Sequence, residues 1–165
     1  YTMSKTKENL AASFAGESQA NRKYLLFAEQ ADKEGYPAAA KLFRAAAAAE
    51  QIHAFSEFKA MGGVGTTAEN LQAAIDGETF EFTKMYPPMI EDAKAEGEAT
   101  AETAFKRACA AEEVHANLYS AELAGLAKGA DADFYLCPIC GYIHKGEVKD
   151  ACPICKAKAE AFVKF

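Results

Sequence analysis

The sequence predicts an all-α fold, a four-helix bundle, followed by a small domain held together by bound metal. Three observations predict it. Two E-x-x-H phrases, Glu50-Gln51-Ile52-His53 and Glu112-Glu113-Val114-His115, each follow another glutamate, Glu17 and Glu78, at nearly the same interval. Apolar residues as far as about Ala127 recur at helical spacing. Beyond Gly129 that period stops, and two Cys-Pro-Ile-Cys units follow, Cys137 to Cys140 and Cys152 to Cys155.

The first helix is expected from about Ser4 to Lys33, with Gly35 ending it. Its seam runs Leu10, Phe14, Glu17, Asn21, Tyr24 and Ala28, so Glu17 falls inside the stripe that faces the core. Pro37 opens the second helix, where its missing N–H is harmless. Phe43, Ala46, Glu50, His53 and Glu57 share one face of that helix, and Gly62-Gly63 stops it. Thr66 or Thr67 caps the third, which turns Leu71, Ala74, Glu78, Glu81 or Phe82, and Met85 inward. Pro87-Pro88 removes two backbone donors and is expected to kink the third helix just past its glutamates. The fourth starts near Thr100 and shows Phe105, Ala108, Glu112, His115 and Tyr119. The halves read as a duplicated helix pair. The expected domains are 1–129 and 130–165. The second is too small to fold on a hydrophobic core alone, so a metal must hold it.

Residues three apart on a helix share a face, so each E-x-x-H phrase aims a carboxylate and an imidazole the same way. Two such helices, with two more that each add a glutamate, make the carboxylate-bridged dinuclear site of ferritin-like bundles. Glu17, Glu50, Glu78, Glu81 and Glu112, with His53 and His115, are the candidate ligands. So many carboxylates in one core require cations. Oxygen and imidazole donors suit iron or manganese. Two ferrous ions nearly balance the five carboxylates, and two ferric ions with a bridging oxide carry the same net charge. Spacing leaves Glu81 open between an extra ligand and an outlying carboxylate. Glu113 points elsewhere on the helix.

Two C-x-x-C knuckles, Cys137/Cys140 and Cys152/Cys155, specify one tetrahedral four-thiolate site. Zinc there would be structural; iron would carry single electrons. Gly141 suits a turn that exposes N–H groups to sulfur, and Lys156 at the equivalent place is expected to strain its turn. Cys109 reads as a small buried hydrophobe on the Glu112 face, and His144 as a surface residue of the tail.

The chain of 165 residues carries a net charge of −6, which argues against nucleic acid as the main partner. No apolar run is long enough to span a bilayer. The polar start lacks a signal-peptide core, and paired cysteines without secretion signals point to a reducing compartment, so a cytoplasmic protein is expected. Met3 is expected to be the natural first residue, with Tyr1 and Thr2 added in expression.

At this point the chain resembles the rubrerythrin family along essentially its whole length. The motifs are Ala15-Gly16-Glu17-Ser18-Gln19-Ala20, Gly77-Glu78-Thr79-Phe80-Glu81-Phe82, Met85-Tyr86-Pro87, both E-x-x-H units and Cys137-Pro138-Ile139-Cys140-Gly141-Tyr142. The resemblance implies a ferritin-like diiron domain joined to a rubredoxin-like domain with one iron on four thiolates. It implies a peroxidase that reduces hydrogen peroxide to water and protects against oxidative stress. It implies that Glu17, Glu50, Glu78, Glu81, Glu112 and His115 hold the oxidised pair, and that His53 replaces Glu81 on one iron upon reduction. Tyr24 and Tyr86 match family tyrosines near the site. Pro88 and Lys156 depart from the family pattern without touching a ligand. The implied partners are a rubredoxin or a nicotinamide-dependent reductase and a second copy in a homodimer, with helix pairs exchanged across a short linker such as Gly62-Gly63-Val64-Gly65. Two rival readings remain: a ferroxidase or oxygen-reducing iron handler, and a zinc-ribbon scaffold without catalysis.

Overall fold

The computed structural model describes residues 4–165, so the expectation about Met3 lies outside the described residues. Helices α1 (Lys5–Lys33) and α2 (Pro37–Ala60) form one compact unit that ends at Gly65. Ser4 caps α1, its side chain accepting from the Lys7 N–H. Gly35 turns the chain at φ +81°, in the left-handed region open to glycine, and the Tyr36 N–H closes back on the Ala31 carbonyl at 2.8 Å. Pro37 then begins α2, as its fixed φ and missing donor favour.

The seam of this pair is made of small residues. Asn21, Ala28 and Ala31 from α1 are buried, as are Ala40, Ala47 and Ala54 from α2, each one heptad from the next. Alanines at a heptad position leave little between the helix axes, so backbone comes within reach of side chains. Asn21 uses that proximity: its Nδ2 donates to the Ala47 carbonyl at 2.7 Å. A stacked Phe14–Phe58 pair, 4.9 Å between centroids, and a cluster of Tyr24, Phe27 and Phe43 complete the packing.

Everything from Thr66 to Phe165 forms the second unit. Thr66 caps α3 (Thr67–Phe80) with a full capping box, its side chain meeting the Glu69 N–H while Glu69 returns to the Thr66 N–H. The chain then widens into a π-turn, Glu81–Met85, before α4 (Tyr86–Glu96) and α5 (Ala99–Ala124). The expected irregularity is therefore present but displaced. It begins at Glu81 itself, while Pro87 and Pro88 occupy the first turn of α4, where prolines fit. In the widened turn, just upstream of the prolines, the Tyr86 N–H reaches back to the Glu81 carbonyl.

After α5, strands β1 (Phe134–Leu136), β2 (Ile143–Lys145) and β3 (Val163–Lys164) form a small antiparallel sheet, with β1 central. Tyr135 pairs with His144 on one side and Lys164 on the other. Two matching knuckles hang from it. The Gly141 N–H bonds the Cys137 carbonyl, and the Lys156 N–H bonds the Cys152 carbonyl, both at 3.0 Å. Gly141 takes φ +82° and Lys156 φ +63°, so the strain expected at Lys156 is present. Its Nζ reaches the Pro153 carbonyl at 2.9 Å, which ties the turn.

Candidate metal centres

Each E-x-x-H helix meets the helix that carries its upstream glutamate, and the same cluster forms twice. Glu17 and Glu50 join His53 in the first unit; Glu78 and Glu112 join His115 in the second. In each, ligand atoms from all three side chains lie within 4.8 Å of one another. His53 Nδ1 stands 3.0 Å from Glu50 Oε2 and 3.8 Å from Glu17 Oε2. His115 Nδ1 stands 2.7 Å from Glu112 Oε2 and 3.8 Å from Glu78 Oε1. The second cluster is the more enclosed: its side chains are 15 to 22% exposed, whereas His53 is 55% exposed.

The His115 tautomer follows from its other nitrogen. Nε2 lies 2.8 Å from the carbonyl of Gly141. A carbonyl only accepts, so Nε2 carries a hydrogen. In the neutral ring Nδ1 then holds a bare lone pair, aimed at two carboxylates. Lone pair against carboxylate is repulsive unless a proton or a metal cation lies between them. Two oxygens and one oriented imidazole nitrogen form a donor set that fits iron, and the Gly141 carbonyl is the outer hydrogen bond that fixes such a ligand.

The carboxylates report the same crowding. Burial, then the hydrogen bond and charge of Glu112, push Glu78 up to about 7. A hydrogen bond with Glu50, with burial behind it, raises Glu17; the same bond lowers Glu50. The opposed shifts come from a hydrogen bond between the two carboxyl groups. Burial followed by the charge of Glu78 raises Glu81. A polyvalent cation bound between such carboxylates would take the place of the proton.

In the tail, Cys137, Cys140, Cys152 and Cys155 converge. Cys137 Sγ lies 3.5 Å from Cys155 Sγ, and Cys140 Sγ 3.5 Å from Cys152 Sγ, so the sulfurs are in contact but unbonded. Cys137 and Cys152 are fully buried. Burial pushes the Cys140 thiol up. It opposes the Cys155 thiolate too, but there the Ala157 N–H and hydrogen bonds from the other three cysteines prevail and bring Cys155 down to about 7. Four such sulfurs, with backbone N–H groups turned toward them, fit one tetrahedral metal.

These three clusters agree with what comparison with known proteins shows. The family model Rubrerythrin matches residues 8–123, and the model for the rubrerythrin rubredoxin-like domain matches residues 135–163. The chain belongs to the rubrerythrin family. It is 40% identical to nigerythrin of Nitratidesulfovibrio vulgaris over 97% of this chain and 86% of that protein. It is 34% identical to rubrerythrin-2 of Clostridium acetobutylicum over 97% of this chain and 96% of that one. Among solved structures, nigerythrin in its fully reduced, all-ferrous state matches with TM-score 0.60 and 38% identity, covering 100% of this chain and 89% of the other. A mixed-valent nigerythrin matches with TM-score 0.58. The fold is the ferritin-like helical type with a rubredoxin-like domain, and the activity is that of a diiron peroxidase, an oxidoreductase.

The remaining residues singled out in the sequence fall around these clusters. In this rubrerythrin-family chain Glu81 lies outside the Glu78–Glu112–His115 group, at the first position of the π-turn. Tyr86 packs near Phe105, and burial followed by the charges of Glu81 and Glu112 keeps its phenol protonated. Tyr24 sits in the aromatic cluster of the first unit. His144 is half-buried and pairs with the Tyr142 hydroxyl at 3.2 Å, so it is less of a surface residue than expected. Cys109 is half-buried and donates to the Phe82 carbonyl, so it is more than an inert hydrophobe. Sequence reasoning missed the Gly141 carbonyl. It placed Glu57 on the ligand face without a partner; Ser13 donates to it, one helical turn from Glu17.

Proposed function

We propose that the two carboxylate–imidazole clusters together hold a dinuclear iron centre that reduces hydrogen peroxide to water, and that one iron on the four cysteines feeds it electrons. The observation that carries this reading is the His115–Gly141 hydrogen bond. It joins a ligand of the diiron centre directly to the backbone that follows Cys140. Electron transfer weakens steeply with distance, and this contact makes the path short. The reaction takes two electrons and two protons, H2O2 + 2 e− + 2 H+ giving 2 H2O. Bound iron supplies the electrons that split the O–O bond.

The side chains do the rest. Glu17, Glu50, Glu78, Glu81, Glu112 and His115 would hold the iron pair, and His53 would serve as an alternative ligand to Glu81. Two features support the exchange. His53 clusters with Glu17 and Glu50, while Glu81 stands apart on a turn of irregular geometry. Tyr86, whose phenol is kept protonated by burial and the charge of Glu81, would donate a hydrogen bond there, and Tyr24, seven residues after Glu17, would have the corresponding role in the first unit. Residues 1–129 serve as the diiron module and 130–165 as the electron module.

The proposed partners are hydrogen peroxide, a rubredoxin-type donor or a nicotinamide-dependent reductase, and a second copy of the chain. Among the described residues no helix is long and apolar enough to cross a membrane, and four cysteines gathered for a metal, with no disulfide between them, suit a reducing compartment such as the cytoplasm. Stopped-flow mixing of the fully ferrous protein with peroxide and, separately, with oxygen tests the reading. Faster oxidation by peroxide is expected, with a red thiolate colour that appears as the tail iron is oxidised. Faster oxidation by oxygen would favour the ferroxidase alternative, and a colourless zinc-only tail would end the electron-port reading.

A further inference from the structure

The π-turn that starts at Glu81 leaves a backbone debt that helix geometry alone does not settle. In an α-helix the Phe82 carbonyl would accept from the Tyr86 N–H. Here that N–H goes to the Glu81 carbonyl instead. In the widened register the next donor, for Phe82, would be residue 87, and residue 87 is proline. The Phe82 carbonyl is thus stripped of both possible helical donors. Phe82 and Cys109 are both half-buried, so water is not a free substitute.

The missing donor comes from another helix. Cys109 Sγ on α5 donates to the Phe82 carbonyl at 3.6 Å, an ordinary length for sulfur. Cys109 lies one turn before Glu112, and Phe82 is the residue after Glu81. The bond therefore ties the segment that carries Glu81 to the helix that carries Glu112 and His115. We propose that Cys109 is a positioning residue: its thiol supplies the hydrogen bond that Pro87 withholds, and so anchors the π-turn on which Glu81 rides. This builds on the reading of Glu81 as the exchangeable iron ligand. A tether through a weak sulfur donor holds the turn without freezing it, which suits a carboxylate that must leave and return.

A double-mutant cycle on the metal-loaded protein separates this from simple space filling. Amide hydrogen exchange is followed by mass spectrometry on a peptide covering the π-turn and the start of α4. Cys109→Ala should speed exchange there by about two- to fivefold, the worth of one weak hydrogen bond. Cys109→Ser, which keeps a donor, should restore part of the protection. Pro87→Ala gives position 87 an N–H, so Cys109→Ala should have no further effect in that background. Unchanged exchange in Cys109→Ala, or equal effects in both backgrounds, overturns the proposal.

Should Cys109→Ala not fold, the wild-type thiol can be read directly. With the four tail cysteines bound to metal, Cys109 is the one remaining thiol of the five cysteines. Its S–H infrared band should be lowered relative to a free thiol and return toward that position in Pro87→Ala. An unshifted wild-type band overturns the proposal. These readouts hold whether peroxide or oxygen proves to be the oxidant, so they stand apart from the stopped-flow test.

Discussion

Glu78 shows what the site costs without its metal. Its pKa is about 7 in the folded protein against 4.5 for the unperturbed side chain. Between those values the folded, metal-free protein binds more protons than the unfolded chain does. Its stability contribution is therefore complete below 4.5 and is lost as pH rises through about 7. Glu17 acts in the same direction and Glu50 in the opposite one, so the Glu78 share is isolated by substitution. Calorimetry of the metal-free protein should show a melting temperature that falls across this range, and Glu78→Gln should flatten that part of the fall. Metal uptake has the opposite sign, since a ligand must be ionised. Titrating iron or manganese in weak buffer below about 7 should release a proton that Glu78→Gln does not release. A melting curve with the same slope in both proteins would refute the assignment. The two carboxylate–imidazole clusters were legible because E-x-x-H at helical spacing is local. The Gly141 carbonyl was not, because it lies 26 residues beyond His115 and only the tertiary fold brings it near.

At the level of elements, the ends of helices were readable and their interior geometry was not. Ser4, Thr66, Pro37 and Gly35 each carry a local chemical reason for a boundary, and each acts there. The π-turn was expected as a kink placed later, because proline announces a missing donor but not which register the chain adopts to absorb it. Close α1–α2 packing was half visible. The Glu17–Asn21–Tyr24 seam stood out, but alanine marks a tight seam only once it is seen to be buried. Ala47 is 1% exposed, and its carbonyl takes the Asn21 amide. Ala47→Leu must push α1 away or distort α2, and it should lower stability by about 1–3 kcal/mol as overpacked cores do. Because Glu17 and Glu50 lie on the two helices that Ala47 separates, metal affinity of the first cluster should fall as well. Denaturant unfolding and metal titration would read both. Full stability with normal metal binding would show that the seam is looser than its buried alanines indicate.

For the molecule as a whole, the candidate ligands fall into two groups, one in each unit. Glu17, Glu50 and His53 belong to the first unit; Glu78, Glu112 and His115 belong to the second. The first unit of a single chain also leaves Leu26, Leu42, Ile52 and Phe55 exposed, at 64, 70, 66 and 56%. Apolar residues grouped on one helix pair favour a covering surface, and a second copy of the chain is the covering we propose. Sequence reasoning found both clusters. It had no means of telling which chain completes which half, because pairing within a chain and between chains buries the same residues. Complementation decides it. Glu50→Gln disables the first half and Glu112→Gln the second, so each variant alone should lose tight iron binding at the dinuclear centre. The two are then unfolded, mixed and refolded together. If helix pairs exchange in the dimer, each mixed dimer contains one centre with both substitutions and one built wholly from unaltered halves. Peroxide-dependent oxidation should then return in the mixture, toward about a quarter of the wild-type level for random pairing of two copies, since half the dimers are mixed and each has one good centre. If both halves come from the same chain, no arrangement restores an intact centre and the mixture stays as inactive as its parts. Recovery would also need to vanish when one variant carries both substitutions, which guards against a trace of unaltered protein.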